Sequence, residues 1–205
     1  MPHTAFMTKF TDFDINLFKA GKYYRAYEKL GSHLEELNGE KGTYFAVWAP
    51  NAKRVAVMGD FNEWNKETHL LNMRFDGSGI WEGFIPNVGQ GVRYKYFIIS
   101  NNNNLHLEKA DPFAFQSETA PLTSSIVSDI NHYEWNDNDW MHYRSEDVDK
   151  PKPMSVYEVH LGSWKRKSDA KDDWYSYTEL IDVLVPYVKE MGYTHIELLP
   201  IMEHP

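Results

Sequence analysis

The sequence predicts a mostly β protein, in which an antiparallel β-sandwich is followed by one strand–helix–strand unit of an α/β sheet or barrel. Short runs of β-branched and aromatic residues recur between clusters of Gly, Pro and Asn, which is typical of antiparallel sandwiches. After Pro153 the pattern changes to strand, helix and strand, which is typical of a parallel βαβ unit. A chain of 205 residues has room for one large or two small domains.

Residues 1–40 are predicted to form a helical segment that approaches the sandwich. Apolar residues recur at roughly helical spacing between Asp14 and Glu36, and Gly21 and Gly31 interrupt the pattern. We therefore expect two short helical turns in this region, packed on another part of the protein.

Residues 41–128 are predicted to form the sandwich. Each candidate strand is rich in Val, Ile, Thr or aromatic residues and stops at a turn signal. The clear candidates are Thr43–Ala49, Arg54–Met58, Ile80–Ile85 and Val92–Ser100, and the weaker ones are Leu105–Glu108 and Ser125–Ser128.

Residues 129–153 are predicted to connect two domains. Acidic residues outnumber basic ones here, aliphatic residues are few, and the segment ends in Lys150-Pro-Lys-Pro153. The segment is also aromatic, so we expect it to pack against a domain surface instead of forming a free coil. Its aromatic residues are Tyr133, Trp135, Trp140 and Tyr143.

Residues 154–205 are predicted to form the strand–helix–strand unit. The strands are Ser155–Leu161 and Tyr193–Ile201, and the amphipathic helix between them is Tyr177–Met191. Pro186 is expected to kink this helix or to mark its true start, and Gly192 is expected to end it. One such unit needs neighbouring strands, and a closed barrel takes about 250 residues. We therefore expect the chain to be the front end of a longer protein.

Composition excludes several classes of partner and chemistry. With 21 basic and 30 acidic residues the net charge is −9, which disfavours nucleic acid and anionic membrane surfaces but leaves neutral ligands possible. The absence of cysteine excludes disulfides, thiolate catalysis and cysteine-ligated metals. No apolar run reaches the length of a signal peptide or a membrane span, so we expect a soluble, cytoplasmic protein.

The segment Gly59–Trp64 carries the clearest candidate site. A strand ends at Gly59 and leaves Trp64 on a loop, where the indole can either plug an apolar gap or serve as a binding platform. A flat, rigid aromatic ring covers the apolar face of a sugar at low entropic cost, and neighbouring polar side chains bond the hydroxyl rim. Asn62 and Lys95 are the candidate rim partners.

The alternation along the strand around Lys95 makes a further prediction. Tyr94 and Tyr96 are expected to face the opposite way and to belong to the core. An RNA-binding sheet face could also display aromatic residues, but it would need a basic surface, and this chain is acidic.

Polar residues near the end of the chain are weaker candidates. His195 and Glu197 share a face of the last strand, either as a ligand or acid–base pair or as ordinary polar groups of a barrel wall. Glu203 and His204 follow that strand, at the end where parallel barrels hold their active sites, and are candidates for substrate contact. No zinc-binding or hydrolase motif is present, so we expect neither a metal nor a cofactor.

Several runs of residues resemble known families. Those that resemble carbohydrate-binding module family 48 are Phe45–Asn51, Val55–Trp64, Tyr94–Tyr96 and Lys109–Pro112. Those that resemble the first two barrel strands of bacterial 1,4-α-glucan (glycogen) branching enzymes, in the α-amylase superfamily, are Val156–Trp164 and Gly192–Pro205. The resemblance implies an immunoglobulin-like antiparallel β-sandwich followed by the first βαβ unit of an incomplete (β/α)8 barrel.

The resemblance also implies a function. Enzymes of this family cut an α-1,4-glucan and rejoin the segment through an α-1,6 bond in glycogen biosynthesis, by a retaining mechanism that uses two carboxyl groups. Those groups lie on later barrel strands, so no residue of this sequence is assigned a catalytic role, and the chain alone is expected to be inactive. The implied partners are α-1,4-glucan, as glycogen or amylose, and the remainder of the catalytic barrel.

The sequence departs from the family pattern at one place. Glucan-binding members carry a second tryptophan shortly before the Asp-Pro pair, whereas the stretch Asn101–Pro112 contains no aromatic residue. Trp64 and Lys95 match the first platform and the lysine. The alternative function is therefore a non-catalytic module that binds α-glucan or serves as a scaffold.

Overall fold

The computed structural model describes residues 4–146, 152–168 and 173–201. It divides into two compact units, Met1–Glu134 and Trp135–Pro205, each with hydrophobic clusters of its own. In the first unit, helix α1 (Asp12–Lys19) precedes the strands β1 (Gly31–Leu37), β2 (Glu40–Trp48), β3 (Ala52–Gly59), β4 (Asn72–Met73), β5 (Ile80–Pro86), β6 (Arg93–Ser100), β7 (His106–Lys109), β8 (Gln116–Ser117) and β9 (Ser125–Ile126). The second unit contains α2 (Asn138–Glu146), β10 (Val156–Val159), α3 (Leu161–Trp164), α4 (Tyr177–Glu190) and β11 (His195–Leu198).

Two antiparallel sheets pack face to face in the first unit. One sheet has the strand order β1-β2-β5-β4, and the other has the order β3-β6-β9-β8 with β7 also paired to β6. Inward-facing apolar side chains of both sheets form one core, which includes Phe45, Val47, Val55, Val57, Trp81, Ile85, Tyr94 and Tyr96. The prediction of antiparallel sheets is confirmed, and each candidate strand falls on an observed strand with its ends shifted by a few residues.

The predicted helix over residues 14–36 is wrong in its second half. Helix α1 ends at Lys19, and residues Gly31–Leu37 form strand β1. The cause is a tight hairpin: Asn38 and Gly39 have φ of 53° and 85°, and Leu37 pairs with Glu40. A two-residue turn with both φ values positive matches the twist of antiparallel strands, so it aligns β1 with β2.

The N-terminal segment covers the second face of the first sheet. Tyr44 and Ile80 point away from the sandwich core and pack against Phe10, Ile15 and other apolar residues of the first 30 positions. The main chain of residue 5 also exchanges hydrogen bonds with that of residue 84, at 2.8 and 2.9 Å. Strand β2 is therefore buried on both faces, which explains its nearly continuous run of apolar residues.

The second unit contains a parallel pair of strands. Strands β10 and β11 pair in parallel, and α4 lies between them in sequence. Helix α4 begins where the Ser176 and Glu179 side chains form a reciprocal capping box. It continues through Pro186, so Pro186 does not mark its start, and Gly192 follows its end with φ of 78°. No helix in the described ranges is long and apolar enough to cross a membrane.

The aromatic residues of the predicted connector are more exposed than expected. Trp140 and Tyr143 lie on helix α2, with ring centroids 5.9 Å apart. Tyr133, Trp135, Trp140 and Tyr143 are each more than half exposed, and the expected packing of the connector against a domain surface stays a prediction. Lys150 and Pro151 lie outside the described residues.

Candidate functional site

The loop after β3 presents the candidate site. Residues Asp60–Asn62 form one 3-10 turn, and the main-chain N–H of Trp64 donates to the Gly59 carbonyl at 2.9 Å. Glu63 and Trp64 both adopt the left-handed region, with φ of 54° and 60°. This conformation costs a non-glycine residue about 1 kcal/mol or more. Contacts around the loop must therefore hold it in place.

The side chain of Asn62 supplies several of these contacts. Its Oδ1 accepts the N–H of Gly59 at 2.9 Å, and its Nδ2 donates to the carbonyl oxygen of Val57 at 3.1 Å and lies 3.0 Å from Nδ1 of His69. The amide is thus engaged within the loop that carries Trp64. Direct contact between Asn62 and a sugar stays a prediction.

Trp64 lies on the outer face of the second sheet. It is partly buried and packs against a small apolar cluster formed by Ala56, Met58 and Phe97. These residues alternate along β3 and β6 with the side chains that fill the sandwich core. The indole therefore covers an apolar patch outside the main core, and part of its surface remains accessible.

Lys95 lies on the same outer face. The register of β3 and β6 places it opposite Met58, and directly opposite residues of an antiparallel pair share a face. Its neighbours Tyr94 and Tyr96 are fully buried in the core, which confirms that part of the prediction. The structure thus brings Trp64 and Lys95 to one face around Met58.

An ionic cluster that sequence reasoning missed borders this face. Arg93 Nε and Nη2 donate to Oδ2 and Oδ1 of Asp60 at 2.9 and 3.0 Å, and Arg93 Nη1 donates to Oε1 of Glu118 at 3.3 Å. The hydrogen bonds and charge of Arg93 hold the pKa of the Asp60 carboxyl below its usual range. The other Glu118 oxygen accepts the main-chain N–H of Ser124 at 3.0 Å, which ties the cluster to the β8–β9 hairpin.

Strand β6 is fixed beneath the site by a buried carboxylate. The hydroxyl groups of Tyr94 and Tyr96 donate to Oδ2 of Asp111 at 2.7 and 2.9 Å, and the N–H of Phe113 donates to its Oδ1 at 2.8 Å. Burial raises the pKa of the Asp111 carboxyl, although these donors act in the opposite direction. Asp111 belongs to the Lys109–Pro112 run, but residue spacing alone does not predict this role.

The candidates near the end of the chain are only partly described. His195 and Glu197 are exposed on β11, in register with Val156 and Glu158 of β10. Glu203 and His204 lie outside the described residues. Within residues 4–146, 152–168 and 173–201, no group of His, Asp and Glu side chains is arranged to hold a metal ion.

Replacing Gly59 with alanine is expected to lower the free energy of unfolding by about 2 kcal/mol. A Cβ atom at this position would lie 2.2 Å from the Arg93 carbonyl oxygen and 2.9 Å from Cε1 of Phe61. The strand must therefore shift to accommodate it. Urea denaturation followed by circular dichroism measures the change.

Gly89→Ala is the matched control for this substitution. A Cβ atom at Gly89 would meet no atom within 4 Å, so this variant is expected to keep the stability of the parent chain. Equal losses in the two variants would show that the close approach at Gly59 does not constrain the loop.

Most of the first unit matches a known family of carbohydrate-binding modules. The family model for carbohydrate-binding module 48 (isoamylase N-terminal domain) matches residues 29–114. The 1,4-alpha-glucan branching enzymes GlgB of Nostoc sp. and Bacillus subtilis are each 47% identical, over 100% and 95% of this chain, and that of Aquifex aeolicus is 49% identical over 97%. The chain spans 29, 30 and 32% of the Nostoc, Bacillus and Aquifex enzymes, respectively.

Solved structures show the same fold at lower identity. A maltotriose complex of a PulA mutant from Klebsiella pneumoniae matches 87% of this chain with a TM-score of 0.57 and 23% identity, and this chain covers 21% of it. The GBS pullulanase SAP in complex with maltotetraose matches 86% with a TM-score of 0.55 and 16% identity, and this chain covers 24% of it. At these identities the likeness shows the fold alone.

Proposed function

The chain corresponds to the N-terminal part of the 1,4-alpha-glucan branching enzymes and carries their carbohydrate-binding module 48, and from this premise we propose that the outer face around Trp64 binds α-1,4-glucan. The observation that supports the proposal is the placement of Trp64 and Lys95 on one face: Trp64 packs against the cluster that contains Met58, and Lys95 lies opposite Met58 in the strand register. The PulA mutant and the pullulanase SAP are complexes with maltotriose and maltotetraose, which are short α-glucans.

The chemistry of the two side chains matches the two surfaces of a glucose ring. The accessible part of the Trp64 indole covers the apolar C–H face, and the ring loses little entropy because the loop already holds it. The Lys95 ammonium donates hydrogen bonds to hydroxyl groups at the rim. A neutral polymer also suits a chain whose net charge is −9, because no repulsion opposes its approach.

Asn62 contributes through the loop in this proposal. Its amide bonds to Gly59, Val57 and His69 hold the backbone that carries Trp64. We therefore assign Asn62 a role in positioning the loop, in place of the direct sugar contact that the sequence suggested.

Trp64→Ala is expected to weaken binding to maltoheptaose by about 30-fold, because a central tryptophan contributes roughly 2 kcal/mol at a binding surface. Isothermal titration calorimetry measures the change, and migration in native gels that contain glycogen checks it with the polymer. Wild-type chain is expected to be retarded by glycogen, and Trp64→Ala is expected to lose the retardation.

Trp135→Ala serves as the control for loss of a partly exposed tryptophan. Trp135 is 75% exposed and lies outside the matched module, so glucan affinity is expected to stay unchanged. If the wild-type chain migrates identically with and without glycogen, the result contradicts the proposal that it binds glucan. That result would favour the scaffold alternative, which the absence of an aromatic residue in Asn101–Pro112 also suggests.

We extend the proposal to the whole protein because of its similarity to the branching enzymes. In that reaction a carboxylate attacks the anomeric carbon of an α-1,4-glucan, and a second carboxylic acid protonates the leaving oxygen. The 6-hydroxyl of another glucan then displaces the carboxylate. In this proposal the second unit forms the start of the catalytic barrel. Among the described residues β10 and β11 pair only with each other, and Val156, Ile196 and Leu198 are about two-fifths exposed.

A further inference from the structure

An open cavity lies at the end of the sandwich where strand β6 begins. Its volume is about 610 Å³, which falls within the range of pockets that bury small ligands. Its walls are the parts of β1 and β2 nearest their hairpin turn and the loop between β5 and β6. Leu34, which is 39% exposed, and the buried Val88 give the cavity an apolar lining. The residues that line it differ from those of the outer face around Trp64.

The loop that forms one wall of the cavity is held in place. The main-chain N–H of Asn87 donates to the Lys41 carbonyl at 2.9 Å, and the Thr43 hydroxyl donates to the Val88 carbonyl at 2.7 Å. Asn87 adopts the left-handed region with φ of 61°, a conformation that persists only where the surroundings enforce it. The wall is therefore formed before a ligand arrives, which lowers the entropic cost of binding.

Four polar side chains line the cavity, and their hydrogen-bonding groups are available. They belong to Glu36, Lys41, Asn87 and Gln90, and among the described residues none of the four side chains forms a hydrogen bond or an ion pair. Glu36 and Lys41 lie directly opposite each other in the pairing of β1 with β2, so they share a face. The cavity thus offers a carboxylate, an ammonium and two amides to a ligand.

The chemistry of these groups favours a neutral ligand that is rich in hydroxyl groups. A carboxylate only accepts hydrogen bonds, an ammonium only donates them, and an amide side chain does both. A hydroxyl group can donate and accept, so it matches each of these partners. The opposite charges of Glu36 and Lys41 cancel, which leaves no net charge to attract an ion. The apolar lining suits the C–H face of a sugar ring.

We propose that this cavity is a second carbohydrate site, which binds a segment of α-1,4-glucan separately from the outer face around Trp64. The choice of α-glucan among neutral sugars rests on the proposed function. The described lining holds no aromatic ring, so this site is the weaker of the two and accounts for the affinity for maltoheptaose that Trp64→Ala retains. Two sites on one module hold a branched polymer more firmly than either does alone.

The test follows the 1H–15N spectrum of the full 205-residue chain during titration with maltoheptaose. The main-chain signal of Gly89, which lines the cavity, is assigned by its loss in Gly89→Ala. The indole signal of Trp64 is assigned by its loss in Trp64→Ala and reports on the first site. The Gly89 signal is expected to shift on titration both in the wild type and in Trp64→Ala.

A double variant removes the two amides of the cavity. Asn87→Gly combined with Gln90→Ala is expected to weaken the affinity reported by the Gly89 signal about tenfold, the loss of two hydrogen bonds between neutral groups. Glycine at position 87 keeps the left-handed conformation without strain. The titration midpoint of the Trp64 indole signal is expected to stay unchanged.

A matched control removes two amides at the other end of strand β6. Asn102→Ala combined with Asn103→Gly replaces two exposed residues, and Asn103 also has a positive φ, of 55°. This variant is expected to leave the midpoint of the Gly89 signal unchanged. Thermal melting of both double variants is expected to stay close to that of the wild type, because all four side chains are exposed.

The outcomes separate this inference from the proposed function. The inference is overturned if the Gly89 signal does not move with maltoheptaose, if its shift disappears in Trp64→Ala, or if the double variant keeps the wild-type midpoint. A Gly89 signal that moves with protein concentration instead of maltoheptaose shows that a second copy of the chain occupies the cavity, and it also overturns the inference. If Gly89 shifts and the Trp64 indole does not, the proposed function fails and the cavity stands as a glucan site.

Discussion

Replacing Arg74 with alanine is expected to lower the free energy of unfolding by about 4 kcal/mol, because it leaves a buried carboxylate without its cation. Arg74 Nη1 lies 2.6 Å from Oε1 of Glu82, and the Glu82 side chain is only 2% exposed. The Tyr44 hydroxyl donates to the other Glu82 oxygen but carries no compensating charge. Urea denaturation at pH 7, followed by far-ultraviolet circular dichroism, measures the loss.

Two variants make this prediction specific to the buried pair. Arg25→Ala removes an exposed arginine that pairs with Glu28 and is expected to change stability by less than about 0.5 kcal/mol. The double variant Arg74→Met with Glu82→Leu removes both charges and is expected to recover most of the loss. A loss in Arg74→Ala no larger than that in Arg25→Ala would contradict the prediction.

Asp111→Ala is expected to lower the free energy of unfolding by about 3 kcal/mol, because two buried donors and one partly buried donor lose their acceptor. The donors are the hydroxyl groups of Tyr94 and Tyr96 and the N–H of Phe113. Both tyrosines belong to the sandwich core, so their hydroxyl groups cannot turn to water without moving β6. Chemical denaturation of both proteins under the same conditions measures the difference.

The same carboxyl group gives the stability a pH dependence with a defined sign. Burial raises the pKa of Asp111 in the folded protein above its ordinary value of 3.8, so the folded state binds this proton more tightly than the unfolded chain does. Its stabilising contribution is present below pH 3.8 and is lost as the pH rises through the raised pKa.

Asp111→Asn isolates this contribution because its amide does not titrate. Wild-type protein is expected to lose stability relative to Asp111→Asn as the pH rises across that window. A stability difference that stays constant over the same pH range would show that Asp111 keeps its ordinary pKa in the folded protein.

The strands of the sandwich were predictable because their local signals agree with the fold. β-Branched and aromatic residues fill β3 and β6, and turn residues such as Asn101–Asn104 follow them. Strand β1 was missed because its few apolar residues also fit helical spacing. The Asn38-Gly39 pair was the signal that could have identified it, since this dipeptide favours the two-residue hairpin turn that the structure contains.

The candidate site was predictable only where it depends on short-range patterns. Side chains alternate between the two faces of a strand, so Lys95 points to the face opposite that of Tyr94 and Tyr96. This orientation can be predicted from the sequence of β6 alone. The Asp60–Arg93 pair spans 33 residues of sequence and exists because β3 and β6 align Gly59 with Tyr94. The register of two strands is a tertiary property, so residue spacing alone could not reveal this pair.

The N-terminal cover of the first sheet affects how this module can be cut out of a longer chain. The family match begins at residue 29, yet Phe10 and Ile15 seal one side of β2 and β5, and residue 5 bonds to the main chain of β5. In a fragment restricted to residues 29–114, Tyr44 and Ile80 would lose their contacts with Phe10 and Ile15 and become exposed to water. We therefore expect the smallest piece that folds on its own to start before residue 29, where the family match begins.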